Sequence, residues 1–307
     1  MKIDRRELFL GFSGLLVLKS VKLPENTPPA DVGMAFMGTP AEKLAKSIRL
    51  ATGREAMDFL QSKVKPADTV GIKLNALAGR PLAPRRELVE ALVALLVQAG
   101  VPEERVIVFE RSDRELQRAG FELRKEGKGY RCYGTNGQYE GEVEESYSVG
   151  TCFSTLLARQ VTKLINLGVL KDHDLSGVSV GLKNYYGVIH NPNKYHGNNC
   201  SPFVAHLAAH PHIRSKHILT VVDAELLQYH GGPAYRSDRT VKFGAVAAST
   251  DLVACDAWGF TEIERARKAN GLKPLAQEDR YPKWLDTAVE IGLTRVKPST
   301  VKAASDA

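Results

Sequence analysis

The chain has 307 residues, 43% hydrophobic and 25% charged, so it can bury a full core and is neither disordered nor low in complexity. Its formal charge of +7 is scattered, with no Lys/Arg run interleaved with aromatics, which argues against a nucleic-acid partner. The cysteines Cys132, Cys152, Cys200 and Cys255 contain no C-x-x-C, so no iron–sulfur motif or zinc knuckle is encoded. A Cys132–Cys152 disulfide would need an oxidising compartment.

Residues 1–20 begin with Lys2, Arg5 and Arg6 and continue into an apolar run from Leu8 to Leu18. That run is about half the length of a membrane span, so no stable span is expected. The paired arginines resemble a twin-arginine export signal, which predicts a periplasmic or extracytoplasmic location. Lys19 directly after the run and the lack of an A-x-A site fit the other reading, an attached N-terminal helix on a cytoplasmic protein. Residues 21–38, with Pro24, Pro28, Pro29 and Gly33, read as a linker, and residues 39–300 as one α/β domain.

Within that domain, Ala41 to Leu60 has helical periodicity broken near Gly53, and Thr69 to Leu74 reads as a buried strand. Leu88, Leu92, Leu95 and Leu96 mark a helix from Arg85 to Gln98 that Gly100 closes, and Arg105 to Phe109 is the next strand. Strand, helix and strand in this order form a right-handed βαβ unit. Arg111 to Leu123 reads as a helix, and residues 127–150 as a polar insertion with a small hairpin. Val161 to Leu167, His217 to Asp223 and Gly244 to Ala248 read as further strands. Asp251 caps a helix running to about Asn270, and Gln277 to Ile291 is the last helix. The alternation predicts a mainly parallel, twisted sheet with helices on both faces and a polar cleft at the strand carboxyl ends.

All eight histidines fall between His173 and His230. The same window holds Lys171-Asp172-His173, Gly181-Leu182-Lys183-Asn184-Tyr185-Tyr186-Gly187 and Lys194-Tyr195-His196. With Gly71-Ile72-Lys73-Leu74-Asn75, Thr220-Val221-Val222-Asp223-Ala224 and Ser249 to Ala257, these segments resemble the DUF362 family, a domain of unknown function. The resemblance spans roughly residues 69 to 260. It implies an α/β fold and a site around the lysine, histidine and asparagine positions, and it brings no established reaction.

Lys171 and His173 are two apart, so an extended backbone puts them on one face. The candidate catalytic residues are His173, His196 and Lys183. Candidate substrate-binding residues are Lys73, Asn75, Lys171, Asn184, Asp223, Gly231 and Gly232. A divalent metal of unspecified identity would be held by His173, His190 and His196. The expected function is a metal- or cofactor-dependent enzyme doing redox or proton-transfer chemistry on a small anionic substrate. The alternative is a non-catalytic exported carrier or sensor that binds an anion or metal in the same cleft. His206 and His210, four apart, would share a helix face, and His212 and His217 would lie on the surface. His230 would shape a turn or line the cleft. Tyr185-Tyr186 would pack a short helix against the sheet.

Overall fold

A computed structural model describes residues 30–306; the proposed export signal and most of the proposed linker lie outside them. The strands are β1 (Val32–Ala35), β2 (Val70–Leu74), β3 (Val106–Glu110), β4 (Arg131–Gly134), β5 (Glu144–Ser146), β6 (Val149–Thr151), β7 (Lys163–His173), β8 (Gly177–Val178), β9 (His217–Gln228), β10 (Thr240–Ser249) and β11 (Ala303–Ser305). The main sheet runs β11-β1-β10-β9-β7-β2-β3-β4, with β8 added beside β7. All of its neighbours are parallel except those of β10 and the short β8. This is the mainly parallel α/β sheet expected from the alternating pattern.

The helices are α1 (Pro40–Thr52), α2 (Ala56–Gln61), α3 (Arg86–Gln98), α4 (Asp113–Arg118), α5 (Phe203–Ala208), α6 (Pro211–Arg214), α7 (Ala254–Ala269) and α8 (Trp284–Glu290). α1 opens with a capping box between Thr39 and Glu42 and stops at Gly53, whose φ of 68° lets the last turn close in the left-handed conformation. The N-cap of α7 is Val253 rather than Asp251, but Asp251 two residues earlier accepts the N–H groups of Val253 and Ala254 and so holds the helix start.

The central strands are buried on both faces, so side-chain alternation sorts them into two cores. Val70, Ile72, Leu74, Val108, Ile165, Leu167 and Val221 join the apolar faces of α1 and α3. Phe109, Leu164, Leu170 and Val222 face the opposite core, with residues of α5, α7 and α8. On that second face three polar residues interrupt the apolar pattern. Lys73 of β2 is register partner of Asn166 in β7, which is partner of Thr220 in β9. The resulting polar row crosses the centre of the sheet.

Several boundaries differ from the sequence reading. Val32–Ala35, inside the expected linker, is a strand paired with β10 and β11, because its apolar residues complete the sheet edge. The insertion does carry a hairpin, β5–β6, but it also supplies β4, an edge strand of the main sheet. α4 is shorter than expected because the chain turns at Gly120, where φ is 88°. The last helix begins only at Trp284, after a left-handed residue at Asp279 and Pro282. All four thiols are free, so Cys132 and Cys152 are not joined.

Candidate functional site

The polar row of the sheet is covered by a 3-10 turn, Leu182–Val188. Asn166 donates through Nδ2 to the Gly181 carbonyl at 2.9 Å, and Asn184 donates back to Asn166 Oδ1 at 2.8 Å and to the Lys73 carbonyl at 3.2 Å. Lys73 Nζ, fully buried, is paired with Glu110 at the end of β3 and also donates to Asn184 Oδ1 at 3.0 Å. Gly187 crosses directly over this lysine: a Cβ there would lie 2.9 Å from Nζ. Lys73 and Asn184 therefore form the floor beneath the turn.

Above this floor is a cavity of about 460 Å³, large enough for a small metabolite. Its walls include Asn75 after β2, Glu110 and Arg111 at the end of β3, Lys171 and His173 at the end of β7, and Lys183, Asn184 and Tyr186 of the turn. His196 and Asn193 come from the following loop. Extended backbone does place Lys171 and His173 toward the same space.

The buried charges of the cavity are not balanced; the further carboxylate of its lining, Asp174, is exposed. Glu110 pairs with Lys73, and Glu115 pairs with Arg111. Lys171 and Lys183, only 1% and 6% exposed, have no ion-pair partner among the described residues. Lys171 Nζ donates to Asn75 Oδ1 at 3.1 Å. Lys183 Nζ lies 3.0 Å from His196 Nε2 and 3.7 Å from the centre of the Tyr186 ring. Burial lowers both lysines to about 8, in Lys171 partly opposed by Glu110 and reinforced by Lys183 and Lys73.

Neighbouring groups set the histidine tautomers. His196 Nδ1 lies 3.0 Å from the Pro192 carbonyl, which can only accept, so Nδ1 carries the proton and Nε2 presents a lone pair to Lys183. Burial and Lys183 hold this imidazole below its ordinary range. His173 is the reverse case, because Leu175 N–H and Ser176 N–H both donate to its Nδ1, at 3.1 and 3.3 Å. Asp174 Oδ1 is also 3.1 Å from that nitrogen, but it is exposed and itself accepts from Leu175 N–H, so the two backbone donors decide the tautomer. Burial, reinforced by Lys183 and Lys171, pushes His173 down to about 2, so it is neutral with its proton on Nε2.

The three histidines proposed as metal ligands are not brought together. His173 and His196 have ring centres 6.1 Å apart, whereas His190 is exposed outside the cavity and accepts from Cys152 N–H at 2.9 Å. The donor chemistry also fits a metal poorly. The His196 lone pair faces an ammonium, and Nε2 of His173 carries its proton. Among the described residues the only cluster with metal-ligand spacing is Glu144, His210 and His212. There Glu144 lies 2.9 Å from His212 Nε2 and 3.4 Å from His210 Nε2, while His210 Nδ1 accepts from His212 N–H. That hydrogen bond leaves the His210 proton on Nε2, facing the carboxylate, so the cluster is satisfied as a clasp on the β5–β6 hairpin.

Other expected residues lie elsewhere. Asp223 is held by Arg85 through Nε, Nη2 and the backbone N–H, all within 3.1 Å, and lines a separate small cavity. Gly232 is needed where the chain passes β7, since a Cβ there would meet the Asp172 carbonyl at 1.9 Å. Neither it nor Gly231 lines the site, although Pro233 does. His206 and His210 do not share a helix, because α5 ends at Ala208 and His210 caps α6. His212 and His217 are half-buried rather than on the surface, and His230 packs against Arg267, outside the cavity. Tyr186 both packs the turn and forms the cavity wall under Lys183.

Among the contributors that sequence reading left off its candidates are Glu110, Arg111 and Asn166, and also Glu115 and Asp256. Glu115 was hidden inside an apparently ordinary helix. Asp256 accepts the N–H groups of Gly181 and Leu182 at 2.9 and 2.8 Å from the first turn of α7. A carboxylate buried in an otherwise apolar helical stretch is the signal that could have found it.

The chain belongs to the DUF362 family, a domain of unknown function, whose match covers residues 70–261. Every residue of the cavity floor and walls falls within that span. No curated protein matches the chain in sequence.

Proposed function

We propose that this protein is an enzyme that binds a small anion in the cavity and moves a proton to or from it. The observation carrying this reading is the pair of buried lysines, Lys171 and Lys183, that share one cavity without an ion-pair partner. Isolated ammonium groups are costly to bury, and an anionic ligand between them offsets that cost. Lys171 and Asn75 would fix the anionic group, and Lys183 with His196 would exchange the proton, because a neutral imidazole nitrogen already accepts from the lysine. His173, protonated on Nε2, would serve as a donor to the bound anion.

The test is binding followed by turnover. Sulfate and pyruvate should raise the melting temperature of the full chain, and Lys171→Met should abolish that rise. Proton transfer is then read as exchange of the pyruvate methyl protons in D2O, followed by NMR. Binding without exchange would leave the carrier reading, and no binding of either anion would overturn the site.

A further inference from the structure

Lys183 is placed as a nucleophile as well as a charge. Its Nζ lies at the cavity wall, packed on the Tyr186 ring face, with a tautomer-fixed imidazole lone pair 3.0 Å away. The other buried lysines are differently engaged: Lys73 is tied to Glu110, and Lys171 has only an amide oxygen beside it. An amine needs both desolvation and a base to remove its proton before it can attack a carbonyl. Lys73 is held in an ion pair below the cavity, Lys171 has no base in contact, and of these three lysines only Lys183 stands at the cavity wall with a neutral base beside it.

We propose that Lys183 forms a Schiff base with the carbonyl of a small oxo acid, with His196 as the proton acceptor and Lys171 holding the carboxylate. His196 Nε2 takes a proton from the Lys183 ammonium, and the freed amine attacks the carbonyl carbon. A C–N bond forms as the C=O π bond breaks, and the proton on His196 passes to the new alkoxide. His196 then takes the second proton from the nitrogen and passes it to the hydroxyl, which leaves as water as the C=N bond forms, the third proton of the original ammonium staying on the imine nitrogen. Amine and carbonyl yield imine and water, with no change of oxidation state and no further reactant. The lowered proton affinity of Lys183 fits this role, since part of the population is free amine near neutral pH. The choice of an oxo acid rests on the anion-binding reading above; the nucleophile does not.

The full chain is incubated with pyruvate, or with the neutral propionaldehyde, in sodium cyanoborohydride, and the reduced adduct is located by peptide mass spectrometry. Pyruvate should label Lys183 at least roughly tenfold faster than the exposed Lys128 and Lys268. Lys183→Arg should remove that fast label. His196→Gln, which keeps the amine, should slow labelling to the rate of the exposed lysines, so the result does not depend on one variant folding. Labelling of Lys183 no faster than that of Lys128 with either carbonyl overturns the proposal. If that happens while sulfate still raises the melting temperature, the anion site stands without the nucleophile. Fast labelling by propionaldehyde with no preference for pyruvate supports the nucleophile and removes the anion site.

Discussion

Asp256 accepts the Gly181 N–H at 2.9 Å and thereby ties the start of α7 to the turn that carries Lys183 and Asn184. Burial raises this carboxyl to about 6, against the opposing backbone hydrogen bonds. Gly181 has no alternative side chain here, since a Cβ would lie 2.7 Å from Asp256 Oδ2. Asp256→Asn would turn an NH2 group toward one of two backbone donors. The expected loss is about 1–3 kcal/mol in denaturant unfolding, with weaker sulfate binding as the turn loosens. Unchanged stability and affinity would show that the turn is held by other contacts.

Lys73 and Glu110 form a buried ion pair under Gly187. Lys73→Met strands the carboxylate, and we expect a loss of about 3–5 kcal/mol. Replacing both partners at once, Lys73→Met with Glu110→Leu, should cost less than the single change. Chemical denaturation of the three proteins checks that order.

Anion affinity should depend on pH through Lys171 and Lys183, both lowered to about 8. As pH rises through that value the folded protein loses the charges that bind sulfate. Its affinity should fall by about tenfold per lysine for each further pH unit. Stability of the unliganded protein has the opposite sign. Unfolded lysines keep their protons to about 10.5, so the unfolded chain binds more protons between 8 and 10.5 and the fold gains stability there. Calorimetric titration and unfolding measured across pH 7 to roughly 10 test both signs.

Asp223 is a structural partner of Arg85 and stands apart from the cavity. Asp223→Asn should lower stability by about 1–3 kcal/mol yet leave the sulfate dissociation constant unchanged. A large loss of affinity in a folded variant would return Asp223 to the site.

Acid should weaken the fold through His217, which burial lowers to about 4. The unfolded imidazole takes up its proton near 6.5, so the stability this residue contributes is present above that value and lost as pH falls toward 4. His217→Gln should flatten that part of the pH–stability curve, as read from melting temperatures.

Alternating apolar runs and helical stripes already determined the α/β class and the βαβ unit around Leu88 to Leu96, while the polar segments around Lys73, Lys171, Lys183 and His196 carried the resemblance to the family. Those signals are local, since a strand or helix advertises its buried face within a few residues. The same locality put Lys171, His173, Lys183, Asn184 and His196 on the list of candidates. It also admitted Asp223, His190 and Gly232, because strand-end polarity and residue type look alike whether a group meets a ligand or another side chain. Tertiary structure separated them. Sheet register aligned Lys73 with Asn166, Arg85 reached across sequence to occupy Asp223, and the fold of the loop set His196 Nε2 against Lys183 while leaving His190 outside. A side chain's chemistry depends on which proton, charge and surface it faces, and those partners are distant in the chain.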